Sequence, residues 1–136
     1  MLTNANLTVY NKYVDSATRS EKYQRASIIG VFWENRSAAN KLATGGQIAA
    51  DKARVFVPFQ RGANYVKPKA WANLANKAGK WTLAEGDVIV YGLVSDEITG
   101  SFSITDLQKK HDDVLTVTSV DRQDALGLGH WEVGAK

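Results

Sequence analysis

The chemistry open to this chain is bounded by a few titratable side chains. Its two histidines are His111 and His130. The first opens the run His111-Asp112-Asp113, an imidazole followed by two carboxylates. A metal centre needs ligands that converge in space, and neither histidine belongs to an HExxH-type pair. The competing structural reading is a helix end. It puts His111 near the negative pole of the dipole and lets the two aspartates start a turn. With no cysteine, thiolate nucleophiles and disulfides are excluded. No G-x-S-x-G elbow exposes a serine, and "ATGG" and "GANYVKPK" lack the GK[ST] ending of a phosphate loop. Asp106, Asp112 and Asp113 read as solvated carboxylates rather than an acid–base pair. The expectation is a protein with no catalytic residue, no metal site and no cofactor.

Binding is the stronger possibility. Through Lys80 the chain has 13 Lys+Arg against four Asp+Glu, a balance of +9; from Trp81 onward it has four against ten, a balance of −6. A surface of two signs can pair with copies of itself or with neighbours of opposite charge. Basic and aromatic residues also interleave in the first 80 positions: Lys22, Tyr23 and Arg25; Phe32, Trp33 and Arg36; Arg54, Phe56, Phe59 and Arg61; Tyr65, Lys67, Lys69 and Trp71. Barrels with basic grooves and aromatic platforms bind nucleic acid without reading sequence. Aromatics at strand spacing are also the usual material of a core.

The elements that must position these residues are mostly strands. The 136 residues favour a single domain spanning 1–136. No apolar run approaches the roughly 20 residues of a membrane span, and the N-terminus lacks the basic start and apolar stretch of a secretory signal. Asn6 to Val14 alternates Leu7, Val9 and Asn11 with Thr8, Tyr10 and Lys12, as a half-buried strand does. Lys22 to Glu34 is a second strand with Gly30 marking a bulge or bend. Ala53 to Phe59 is a third, with Pro58 at an edge or terminus. Glu85 to Val94 is apolar on both faces. Asp113 to Asp121 puts Leu115, Val117 and Ser119 on one face and Thr116, Thr118 and Val120 on the other, and His130 to Val133 closes the chain.

Residues 35–52 have no strand pattern and read as a long loop. Within 66–80, Trp71, Leu74 and Ala75 share one helical face across 69–78, and a second short helix, capped by Thr105, spans 105–111. No βαβ rhythm appears. The fold class expected is mainly β: a small antiparallel β-barrel of about six strands, with a long loop and one or two short helices.

Several stretches then fall into a familiar order: "LTNANLTVYNKY", "VFWENR", "VFVPF", "EGDVIVYG", "TVTSVD" and the terminal "HWEVGAK". Together they resemble a family of small head–tail connector proteins encoded among the head genes of tailed phages and prophages. The resemblance implies a stopper or head-completion protein of the virion neck, made in the bacterial cytoplasm. Such proteins form a homo-oligomeric ring, commonly a hexamer. Portal and adaptor proteins lie on its head side, tail terminator or tail tube proteins on its tail side, and double-stranded DNA in its channel. No membrane is involved.

The resemblance also implies a loop that projects toward the channel. Here that loop corresponds to Arg36, Lys41, Thr44, Gly45, Gly46, Gln47 and Lys52. It further makes the C-terminal stretch, with Trp131, Glu132, Gly134 and Lys136, a candidate contact between rings. The insertion "KPKAWANLANKAGKW" departs from the family pattern. Two other readings remain open: a different neck component (adaptor or tail terminator), and a non-specific nucleic-acid-binding barrel.

Overall fold

The β-branched and aromatic runs form strands, and closure gives each long strand two partners. The computed structural model describes residues 2–36, 40–41, 47–48, 51–124 and 127–136, with the backbone alone for 40–41 and 47–48. The elements are β1 (Ala5–Val14), β2 (Glu21–Asn35), β3 (Asn40–Lys41), β4 (Gln47–Ile48), β5 (Ala53–Pro58), a 3-10 segment (Phe59–Asn64), α1 (Pro68–Ala72), β6 (Val88–Tyr91), α2 (Ile104–Lys110), β7 (Val114–Gln123) and β8 (His130–Ala135). Six strands close an antiparallel barrel in the order β1-β2-β5-β8-β7-β6, and β3 and β4 form a separate two-stranded ladder. Pro58 is the last residue of β5, a strand paired on both sides, so it marks a terminus and not an edge.

The interior is filled by inward residues of every barrel strand, among them Leu7, Val31, Val55, Ile89, Val117 and Val133. β1 is not half-buried as its alternation indicates: Leu7 through Asn11 are all covered. The cause lies outside the barrel. Leu107 of α2 and residues of the 92–104 segment pack on Tyr10, Val88 and Val90, a second apolar cluster on the outer face of β1 and β6. That cluster also accounts for the two-sided burial of β6. Thr8 ties the segment down: its Oγ1 donates to Gly92 O at 2.8 Å and accepts from Val94 N at 3.0 Å.

Two irregularities re-aim side chains. Gly30 is the extra residue where the β1–β2 register slips, and its φ of 90° is one that a side chain resists. In β7 the register slips between Val117 and Ser119. Val120 therefore packs against the same core as Leu115 and Val117, opposite to the face assigned by strict alternation.

The helices are shorter or shifted relative to the sequence reading. α1 stops at Ala72, because Asn73 caps it and its side chain donates to Lys69 O at 3.2 Å; Ala75 is exposed. α2 is capped by Ser103, not Thr105. Ser103 and Asp106 form a reciprocal capping box. Residues 35–52, expected to lack strands, contain the β3–β4 ladder, with Lys41 opposite Gln47.

Buried polar groups are pinned in two places. Asn11, fully covered, donates to Thr82 O at 2.7 Å and Asp87 Oδ2 at 2.8 Å, and accepts from Thr82 N at 3.0 Å. Burial pushes the Asp87 carboxyl up, opposed by hydrogen bonds from Lys12 N, Asn11 and Ala84 N. At the second place the Asp96 carboxylate meets Lys110 Nζ and His111 Nε2, each at 2.7 Å. These hold Asp96 below the usual carboxylate range, Lys110 more than His111. The buried Tyr10 hydroxyl donates to Asp96 O at 2.7 Å, and burial together with the Asp96 charge pushes its pKa up to about 12.

Two outcomes are expected. Asn11→Ala strands several buried partners and should lower unfolding free energy by about 3 kcal/mol in urea titration; a loss under about 1 kcal/mol would show that water replaces the amide. Asp96, a depressed acid, contributes stability that is complete above its unfolded pKa and lost as pH falls through its lower folded value. The melting temperature should therefore fall on acidification below about pH 4. Asp96→Asn should flatten that decline.

Candidate functional site

The two candidate regions of the sequence, the 36–52 stretch and the C-terminal strand, are brought together at the end of the barrel where β5 begins and β8 ends. The β3–β4 ladder, the arm, lies between β2 and β5 in the chain, and the residues at its base are bonded together. Arg36 N donates to Lys52 O at 2.6 Å, and Lys52 N donates to Ala135 O at 2.8 Å. β8 therefore anchors the arm through the backbone, across a separation of more than 80 residues in sequence.

Side chains brace the same junction. Asp51 Oδ1 accepts from Thr118 Oγ1 at 2.7 Å. The Arg54 guanidinium lies between Asp51 Oδ2 at 3.7 Å and Glu132 Oε1 at 3.6 Å. Gly134 makes room for this: a Cβ there would collide with Asp51 Oδ2 and lie 2.7 Å from Ser119 Oγ. A glycine inside a strand often marks such a close approach. That was the one signal in the sequence for this junction; Asp51, Arg54 and Thr118 had none.

The proposed site residues divide accordingly. Arg36 is exposed and pairs with Glu34 at 3.0 Å, and Lys52 is exposed. Lys41 and Gln47 lie opposite each other in the β3–β4 ladder, whereas Thr44, Gly45 and Gly46 lie outside the described residues. Trp131 is an interior residue, in contact with Phe59, Tyr65 and Trp81. Gly134 is buried, and Glu132 is half-buried beside Arg54. Lys136 alone of that group has an exposed side chain, while its backbone exchanges two hydrogen bonds with Thr116 at 2.8 and 3.0 Å.

The basic–aromatic interleaving also divides. Trp33 and Trp71 are core residues. Phe32, Phe56 and His130 form a half-buried stripe outside the barrel, with centroids 5.9 and 5.4 Å apart. His111 faces Asp96, and Asp112 and Asp113 are exposed. Among the described residues no group of three or more His, Cys, Asp or Glu is placed to hold a metal ion.

A family model described as a family of unknown function (DUF6751) matches residues 2–136. No curated protein matches the chain, and no solved structure does.

The junction makes a definite expectation. Gly134→Ala should cost about 1–3 kcal/mol by overpacking, measured by urea denaturation. It should also speed proteolytic cleavage between residues 36 and 52. Unchanged stability and cleavage would show that Asp51 swings aside and that the arm does not depend on it.

Proposed function

We propose that this chain, which belongs to that family of unknown function, is a structural connector of a tailed-phage neck. In this reading it is a stopper-like subunit that assembles into a ring below the portal and adaptor, continues the DNA channel and presents a face to the tail. The observation that carries the reading is a closed barrel with the base of the arm bonded to β8. Closure removes free strand edges from the six-stranded body, so subunits cannot join by extending that sheet. Association must then use side-chain faces and protrusions. A ring built head to tail needs two different complementary faces on each subunit. The balance of +9 through Lys80 against −6 thereafter gives the chain two parts of opposite sign from which such faces could be built. The stretches that resemble the connector family also include strands β1 and β8, two staves of the barrel.

The deciding experiment is mass spectrometry and electron microscopy of purified particles from a phage or induced prophage that encodes the gene. The protein should be present in the particles and form a symmetric ring between head and tail. Its absence from infectious particles would overturn the connector reading. Truncation after Val133 does not isolate a ring contact, because Ala135 is fully buried and Lys136 is paired with Thr116. Lys136→Glu does isolate it. If the C-terminus meets a neighbouring ring, this variant should keep the wild-type melting temperature and lose tail joining.

A further inference from the structure

The segment between β5 and β6 caps the barrel at the opposite end of β5 from the arm. Its charge is one-sided. From Lys52 to Ala84 the sequence has no Asp or Glu, yet the cap carries Arg61, Lys67, Lys69, Lys77 and Lys80. None of the five forms an ion pair among the described residues. Lys77 is occupied otherwise: its Nζ donates to Leu74 O at 2.7 Å and lies over the Tyr13 and Trp71 rings. Arg61 is held as well, its Nε donating to Gly30 O at 3.1 Å, so Lys67, Lys69 and Lys80 remain.

The backbone brings them together. Trp81 N donates to Asn64 O at 3.1 Å and Val66 N to Trp81 O at 2.8 Å, so Lys80 runs beside the short stretch leading from the 3-10 segment to Lys67. Lys69 follows on α1. On one side of this ladder is a groove of about 350 Å³ that includes Arg61 and Asn64. On the other is a groove of about 550 Å³ with Lys67 and Arg122 at its rim and Tyr65 in its wall.

The rest of the cap surface identifies the partner. Between 59 and 84 the exposed residues other than cations are Gln, Asn, Ala, Gly and Pro. The large exposed apolar residues (Leu2, Val14, Ile29, Tyr91, Leu93 and Leu128) all lie outside this segment, Ile29 alone of them lining the Arg61 groove from β2. Protein interfaces have apolar or aromatic centres and are depleted in lysine. Phosphate backbones are met by Lys and Arg with Asn and Gln amides, without an apolar centre. We infer that the cap is a docking face for the phosphate backbone of a nucleic acid, bound without reading its bases. This inference stands on the cap's chemistry and not on the connector reading.

The test uses the purified full chain with a labelled 20-base-pair duplex and, separately, a 20-nucleotide single strand, between 50 and 200 mM salt. Binding should lie in the range of about 10⁻⁴–10⁻⁶ M. The logarithm of affinity should fall with the logarithm of salt at a slope of about −3 on duplex, as three cations displace counterions. Whichever form binds more tightly identifies the source of the phosphates. The variant K67Q/K69Q/K80Q should bind at least tenfold more weakly, with a slope shallower by about 3. Lys109→Gln, on α2, should change neither. Circular dichroism melts verify that the variants fold, and the salt slope of the unmodified protein is a check independent of any variant. Salt-independent binding, or unchanged binding by the triple variant, would overturn the inference. So would loss of self-association in place of nucleic-acid binding, which would assign the cap to an acidic face of another copy.

Discussion

Trp131 sits where three parts of the chain converge. It belongs to β8, the last strand to join the barrel, and its indole lies 4.7 Å from Phe59, 4.4 Å from Tyr65 and 5.7 Å from Trp81 between ring centroids. Those partners come from the end of β5 and from the cap. The barrel cannot close without β8, which pairs with both β5 and β7. The cap has little regular structure of its own: one 3-10 segment and five residues of α1. A helix that short is not stable alone. The aromatic cluster therefore does two jobs with one buried surface. It fills the barrel and gives the cap something to fold against.

The same economy holds at the other end of β5. The arm base is fixed by the backbone bond from Lys52 to Ala135 and braced by Asp51, Thr118, Arg54 and Glu132, with Asp51 lying against Gly134. The ion pairs there are partly exposed, and such pairs contribute little stability by themselves. Their geometric effect is to tie Asp51, at the base of the arm, to β5 and β8. β5 thus joins two different ends of the molecule, one carrying the arm and the other a cationic cap.

Much of this was legible from residue order alone. The β-branched and aromatic runs located all six barrel strands to within a few residues, because period-two patterning and turn chemistry are local properties. Gly30 announced its bulge, since φ of 90° favours glycine. What failed was equally instructive. Val120 was placed on the wrong face because one extra residue in β7 reverses every side chain after it, and the slip is set by pairing with β8. β1 was read as half-buried because Thr8, Tyr10 and Lys12 alternate with Leu7, Val9 and Asn11; what covers Thr8 and Tyr10 (Gly92, Val94 and Leu107 among others) lies more than 70 residues away. The α2 cap moved from Thr105 to Ser103, although Ser103 and Asp106 already stood at capping-box spacing.

The final stretch "GHWEVGAK" shows where the division falls. Its alternation alone determined that Trp131 and Val133 face inward while His130 and Glu132 face away, because a strand's side chains must alternate. Residue order and composition likewise determined that the excess of basic residues lies before Trp81 and the excess of acidic ones after Lys80, and that no thiol chemistry is open to the chain. Only the tertiary structure decided that Gly134 is a contact point for Asp51, that Ala135 holds the arm, and that the cations of the cap stand without carboxylates around them. Each of these depends on which distant segment arrives alongside. Arrival is decided by closure of the barrel around a shared core, a global packing constraint that no local window of residues contains.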